Sequence, residues 1–315
     1  MKLKTARKGV GHWRQVLPPV IFLAALASGV SAQNMSIEQI TPVQFLEDIG
    51  ASQRIDYSGK LRMLSQRIPA AACYLTAGTN PESAGNVLES AAAEFQQILT
   101  ALEFGDVSLG IIGEEERRKT LVGLHKLGAL WAPMLETART IRSTGGSPAD
   151  VAQIAEQSEA VLNIAKLLVS EISGQYSDPT ALLQADALTI DLAGRQRMLA
   201  QRISKNACLV AMGISTDAAR DQLSAAAEMF DNTLHALRDG MENVGVKPPP
   251  TDEIAAGLDV VLENWQGLQP IIERASGEGT LDDEHRAIMF TGANQMTGNM
   301  NTVVGLYSES SKLGL

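Results

Sequence analysis

The chain has 315 residues, 45% of them hydrophobic but only 4% aromatic, and a formal net charge of −10 at pH 7. That length covers two domains of ordinary size, about 150 residues each, and the wealth of Ala, Leu, Gln, Glu and Met suits helices rather than a β-sandwich. The acidic balance excludes nucleic acid as a partner, because binding phosphate needs a basic face.

Residues 1–32 read as a secretory signal. Lys2, Lys4, Arg7, Lys8 and Arg14 form a basic start, an apolar stretch runs from Val16 to Val30 broken by Pro18 and Pro19, and Val30-Ser31-Ala32 places small residues before a cleavage point. The stretch is shorter than the about 20 apolar residues of a bilayer span, so cleavage after Ala32 is expected. Five basic and no acidic residues leave with it, which takes the mature charge to −15. No second apolar run of spanning length follows. The expectation is a periplasmic protein with no direct membrane insertion after signal cleavage.

Turn signals divide the remainder into eight helical segments, near 37–77, 82–104, 114–143, 148–175, 179–212, 216–240, 251–276 and 282–311. Glu114-Glu-Glu-Arg-Arg-Lys119 reads as an acidic helix start, which complements the helix dipole. Asp178-Pro179 reads as an N-cap with proline at the first helical position.

An internal duplication organises these segments. Residues 55–73, IDYSGKLRMLSQRIPAAAC, and 190–208, IDLAGRQRMLAQRISKNAC, share 11 of 19 positions at a constant offset of 135. Weaker echoes follow: Ser90–Glu94 with Ser224–Glu228, Ala101-Leu102 with Ala236-Leu237, and Trp131 with Trp265. The domains are therefore read as 33–177 and 178–315, each of four helices. Short loops imply an up-down-up-down bundle, so the second unit begins at the same end as the first and the two motif helices run parallel. The predicted fold is all-α: two tandem antiparallel four-helix bundles packed side by side with pseudo-two-fold symmetry.

On a helical wheel, Tyr57, Leu61, Leu64, Ile68, Ala71, Ala72 and Leu75 form the core face of the first motif helix. Roughly opposite lies a stripe of Ile55, Gly59, Arg62, Gln66, Pro69 and Cys73, repeated as Ile190, Gly194, Arg197, Gln201, Ser204 and Cys208. The stripe repeats better than the core: Leu61 becomes Gln196 and Ala71 becomes Asn206, while Gly, Arg, Gln and Cys persist. Glycine lets helices approach closely, so the stripes are expected to face each other, with Gly59 near Gly194 and Arg62 near Arg197.

Two facing guanidiniums repel unless something negative lies between them. One reading puts a planar oxyanion there, held bidentately by both forks, with Gln66 and Gln201 adding amide donors. The other gives each arginine a carboxylate such as Asp56 or Asp191. Arg67 and Arg202 flank the stripe and are read as surface charges. Cys73 and Cys208, about 16 Å further along the helix, either face each other as a disulfide or are two small buried residues.

At these residues the sequence resembles the PilJ-type domain, the N-terminal sensor domain of type IV pili methyl-accepting chemotaxis transducers. The shared pattern is Gly-x-x-Arg-Met-Leu-x-Gln-Arg, present as GKLRMLSQR and GRQRMLAQR. It is also similar to the P-box of nitrate/nitrite sensor kinases of the NarX/NarQ type. The resemblance implies parallel four-helix bundles and one nitrate held at their interface by an arginine from each, here Arg62 and Arg197. The tandem repeat would reproduce that homodimer in one polypeptide. Those sensors carry flanking transmembrane helices and a cytoplasmic output, which are not expected here, so a membrane sensor or transporter is the expected partner.

Enzymatic signals are missing. His125, His235 and His285 are isolated, without a companion at metal-ligand spacing. No nucleophile elbow, P-loop or dinucleotide fingerprint occurs. No catalytic residue, metal or cofactor is expected. The primary expectation is a binder of nitrate or nitrite. The alternative is an interaction module of a pilus, chemotaxis or envelope-sensing system with no small ligand.

Overall fold

The computed structural model describes residues 42–176, 184–277 and 279–313, with side chains over 53–176, 186–277 and 279–311. Among the described residues there are eight α-helices: α1 Pro42–Thr76, α2 Pro81–Phe104, α3 Arg118–Thr144, α4 Pro148–Tyr176, α5 Gln184–Ala211, α6 Thr216–Asp239, α7 Asp252–Ser276 and α8 Asp283–Leu313. They form two four-helix groups, α1–α4 and α5–α8, joined through contacts between α1 and α5. The expected signal segment and the Asp178-Pro179 cap lie outside the described residues.

The helix boundaries have local causes. Ser147 and Asp150 cap α4 reciprocally, the Ser147 amide donating to the Asp150 carboxylate at 2.9 Å and the Asp150 amide to Ser147 Oγ at 3.3 Å. Thr251 Oγ1 accepts from the Ile254 amide at the start of α7. The turn after α2 recurs after α6: Gly105 and Gly240 both have φ 80°, and the short bridges Asp106–Ile111 and Met241–Val246 close the two loops. A side chain at Gly105 would put its Cβ 2.7 Å from the Gly113 carbonyl oxygen, so only glycine fits there.

One boundary differs from the sequence expectation. Helix α3 begins at Arg118, not at residue 114. Glu115 is 5% exposed and turned inward, accepting the Tyr176 hydroxyl at 2.8 Å and lying 3.8 Å from the Arg54 guanidinium. It also accepts the Arg117 amide. These inward bonds hold the acidic run out of the helix.

Each core is built from the faces that periodicity picks out. Leu61, Leu64, Ile68, Ala71 and Ala72 are fully buried, with Tyr57 and Leu75 packed at the edge. Trp131 stacks on Phe95 with centroids 4.2 Å apart, and Trp265 meets Phe230 at 4.6 Å in the second unit. Both indole N–H groups reach an acceptor, Gln96 in one unit and Asp231 in the other, 135 residues on.

Helices α1 and α5 run parallel and in register. Cys73 and Cys208, equivalent positions of the repeat, are joined in a disulfide with Cα atoms 6.2 Å apart. The Tyr74 hydroxyl donates across the seam to the Ser204 carbonyl at 3.2 Å. Identical residues thus meet around an approximate two-fold axis along the helices. Of the two sequence readings of the cysteines, the disulfide is the one realised.

Candidate functional site

Parallel in-register packing brings the duplicated stripes face to face. Gly59, Arg62, Gln66 and Cys73 of α1 and Gly194, Arg197, Gln201 and Cys208 of α5 are all buried. A Cβ built on Gly59 would lie 3.6 Å from Arg62 Nη2 and 3.7 Å from Arg197 Nη2. One built on Gly194 would lie 3.6 Å from Arg197 Nη2 and 3.8 Å from Arg62 Nη2. Among the described residues, apart from the chain neighbours and the helices' own local backbone, nothing else comes within 4 Å of either point. The two glycines therefore open space whose walls are guanidinium groups.

Each arginine pairs with the carboxylate of the other unit. Arg62 Nη2 donates to Asp191 Oδ1 at 3.1 Å, and Arg197 Nη2 donates to Asp56 Oδ1 at 3.3 Å. The pairs cross the seam and are monodentate. The two guanidiniums are otherwise held differently. Arg197 also donates from Nη1 to Asn301 Oδ1 at 2.7 Å and from Nε to the Gly194 carbonyl at 3.5 Å. Arg62 Nε is buried without a hydrogen-bond partner. The position equivalent to Asn301 in the first unit is Lys166, a cation that gives Arg62 nothing to donate to. Burial pulls the Arg62 guanidinium below its ordinary range; Asp191 opposes that shift, and Arg195 and Arg197 add to it.

Gln66 and Gln201 are buried beside the arginines but direct their amides elsewhere. Gln201 Nε2 donates to Thr297 Oγ1 at 2.8 Å and to the Ala293 carbonyl and Asn294 on α8. Gln66 Nε2 reaches only Ser65 Oγ, at 3.4 Å, and its Oε1 is unpartnered.

The flanking arginines are not plain surface charges. Arg202 donates to Glu159 Oε2 on α4 at 3.0 Å and to Gln222. Arg67 has a buried Nε without a partner, and burial lowers its pKa, with Glu94 opposing. Sequence reasoning also missed Lys205, 1% exposed, whose Nζ lies 2.6 Å from Glu159 Oε1. Its counterpart in the first repeat is Ala70, so the duplication carried no signal for it.

Among the described residues, no group of three His, Cys, Asp or Glu side chains is placed to hold a metal ion. No described helix is long and apolar enough to cross a membrane. A disulfide across the seam is consistent with an extracytoplasmic location.

The chain matches the family model of the type IV pili methyl-accepting chemotaxis transducer N-terminal domain twice, over residues 48–157 and 180–288. No curated protein matches it. The first match takes in α1 with Gly59 and Arg62, the second α5 with Gly194 and Arg197, so each copy brings one glycine and one arginine to the seam. The chain belongs to the PilJ domain family, in two tandem copies.

Proposed function

We propose that this protein is a periplasmic sensory binding protein that holds one small planar oxyanion, nitrate or nitrite, between Arg62 and Arg197, and that it passes the signal to a membrane partner. The PilJ family points to a sensory module of a chemotaxis or pilus signalling system, and its domains are typically non-catalytic. The observation that carries the ligand reading is the convergence of both Nη2 atoms on the space above Gly59 and Gly194. Guanidinium forks present coplanar donors to an oxyanion. Within a buried seam their attraction for a negative guest exceeds what an exposed pair would offer. The unpartnered Nε of Arg62 adds a donor whose desolvation a guest would offset.

Isothermal calorimetry with nitrate and nitrite tests this. Saturable binding of one equivalent is expected, lost in Arg62→Ala and in Arg197→Ala. Binding that survives both substitutions removes the arginines from the site.

A second reading has its own support in the crossed pairs Arg62–Asp191 and Arg197–Asp56. They neutralise the arginines without any guest, as expected of a seam that serves only to join the units of an interaction module. No heat with any small oxyanion, together with capture of a membrane protein, favours that reading.

A further inference from the structure

Asp56 and Asp191 each stand between two cations. Asp191 turns Oδ1 to Arg62 across the seam at 3.1 Å and Oδ2 to Arg195, one turn along its own helix, at 2.6 Å. Asp56 turns Oδ1 to Arg197 across the seam at 3.3 Å and Oδ2 to Lys60, again one turn along its own helix, at 3.9 Å. The aspartate side chains are 33% and 37% exposed, whereas those of Arg62 and Arg197 are 9% and 3% exposed. The carboxylates therefore occupy the mouth of the seam and the guanidiniums its floor. A carboxylate is itself a planar oxyanion, and these two already place an oxygen on each Nη2 atom.

We propose that Asp56 and Asp191 are the resident occupants of the anion site, and that a small oxyanion enters by exchanging with them. The inference rests on the anion reading given above. On exchange each carboxylate gives up its cross-seam arginine and stays paired on its own helix, Asp56 with Lys60 and Asp191 with Arg195. No charge is then left bare: the guest lies between the arginines and the aspartates remain neutralised at the mouth. Two properties follow. The internal carboxylates weaken every guest, so the apparent affinity is the intrinsic one less the competition. They also exclude an anion that cannot replace both carboxylate contacts at once: monatomic chloride has no two oxygens to set on the two Nη2 atoms, so the residents keep it out.

The two aspartates do not resist displacement equally. Asp191 is already close to its second cation, at 2.6 Å, whereas Asp56 is 3.9 Å from its own. Evicting Asp56 gives up more, so Asp56 sets most of the competition.

The experiment is nitrate titration by calorimetry on the full chain, with chloride as the control anion. Variants are Asp56→Asn, Asp191→Asn and their combination, and Lys60→Gln in the wild-type and Asp56→Asn backgrounds. The double aspartate variant should bind nitrate at least tenfold more tightly than wild type and gain measurable chloride binding, with Asp56→Asn supplying the larger share. Lys60→Gln removes the second seat of Asp56. It should weaken nitrate at least threefold more in the wild-type background than in Asp56→Asn, where no carboxylate needs that seat. Plain loss of one positive charge would act equally in both backgrounds, and equal effects overturn the exchange. Wild-type binding with equal or weaker binding by the aspartate variants overturns it too, while leaving the anion site standing. No binding by any variant overturns the site and the exchange together. Should the aspartate variants fail to fold, Lys60→Gln and Arg195→Gln leave the crossed pairs intact. Each should then weaken nitrate with an unchanged Tm, and unaltered affinity in both overturns the exchange.

Discussion

Lys205 of α5, 1% exposed, places its Nζ 2.6 Å from Oε1 of Glu159 on α4, in the opposite unit. The same carboxylate accepts from Arg202 through its other oxygen at 3.0 Å. One glutamate thus pairs with two cations and ties the second unit to the first alongside the α1/α5 seam. Removing it leaves a buried ammonium without a counter-charge. Glu159→Gln should therefore cost about 3–5 kcal/mol at neutral pH, read as a lower denaturant midpoint with an unchanged m-value.

The same pair has a pH signature in alkali. Burial pulls the Lys205 ammonium down to about 8, although Glu159 opposes the shift. Its folded value thus lies below its ordinary 10.5, and between the two the unfolded chain carries more protons than the native one. Stability should rise with pH through that window, and the contribution is lost as pH falls through about 8. Lys205→Met should flatten that part of the curve. In acid the sign comes from Glu159. Burial raises its pKa, but Lys205 and Arg202 outweigh burial and hold it below the usual carboxylate range. Its stabilisation is present above that range and is lost as pH falls through the depressed value. Tm measured from pH 2 to 11 checks both limbs.

The disulfide Cys73–Cys208 spans 135 residues and joins the two units directly. Cys73→Ser/Cys208→Ser should lower stability by about 2–5 kcal/mol, because the unlinked denatured chain gains loop entropy. The arginines lie about 16 Å away along the helix, so nitrate affinity should change less than threefold. Unfolding curves and titration of the same variant test the two parts separately.

Much of this arrangement was legible because duplication was legible. Eleven identities at one offset implied two like units, short loops implied that both begin at the same end, and the parallel seam followed. What the repeat does not share, it could not reveal. Glu159 corresponds to Asn294 and Lys205 to Ala70, so their ion pair had no echo. Gln201 finds Thr297 on α8, but the equivalent residue on α4 is Leu162, so Gln66 has no such partner. The sequence offered Asp56 and Asp191 as partners for the arginines, but not that the pairs cross between units; that depends on how closely α1 and α5 approach. The acidic run at 114–116 followed a sound dipole rule and lost to tertiary contacts, because Arg54 and Tyr176 claim Glu115.

Arg54 makes its own prediction. It is 3% exposed, donates to the Leu102 carbonyl at 2.7 Å and the Gly113 carbonyl at 2.6 Å, and faces Glu115. It fastens both ends of the α2–α3 connection to α1, whereas the second unit has Thr189 at the equivalent position. Arg54→Ala should cost about 2–4 kcal/mol, since it leaves two carbonyl acceptors unpaired and takes the cation from a buried carboxylate. Hydrogen exchange should speed up over residues 105–117 and stay unchanged over 240–251.

The sharpest separation of binding from stability comes at Gly59 and Gly194. In most buried helix contacts a new methyl group clashes, but here a Cβ at either position meets only the two Nη2 atoms, at 3.6–3.8 Å, which is ordinary van der Waals contact. The fold therefore accepts alanine. A helix-interior Gly→Ala change also gains about 0.5–1 kcal/mol in propensity, so Gly59→Ala and Gly194→Ala should leave Tm unchanged or raise it. The added methyl would fill the very space that both guanidiniums line. If an anion belongs there, each substitution should weaken nitrate at least tenfold, and the pair should abolish binding. If no anion belongs there, the variants keep the same Tm, and the added methyl groups leave any nitrate affinity unaltered. Thermal unfolding and calorimetry on the same preparations decide between a cradle and a contact.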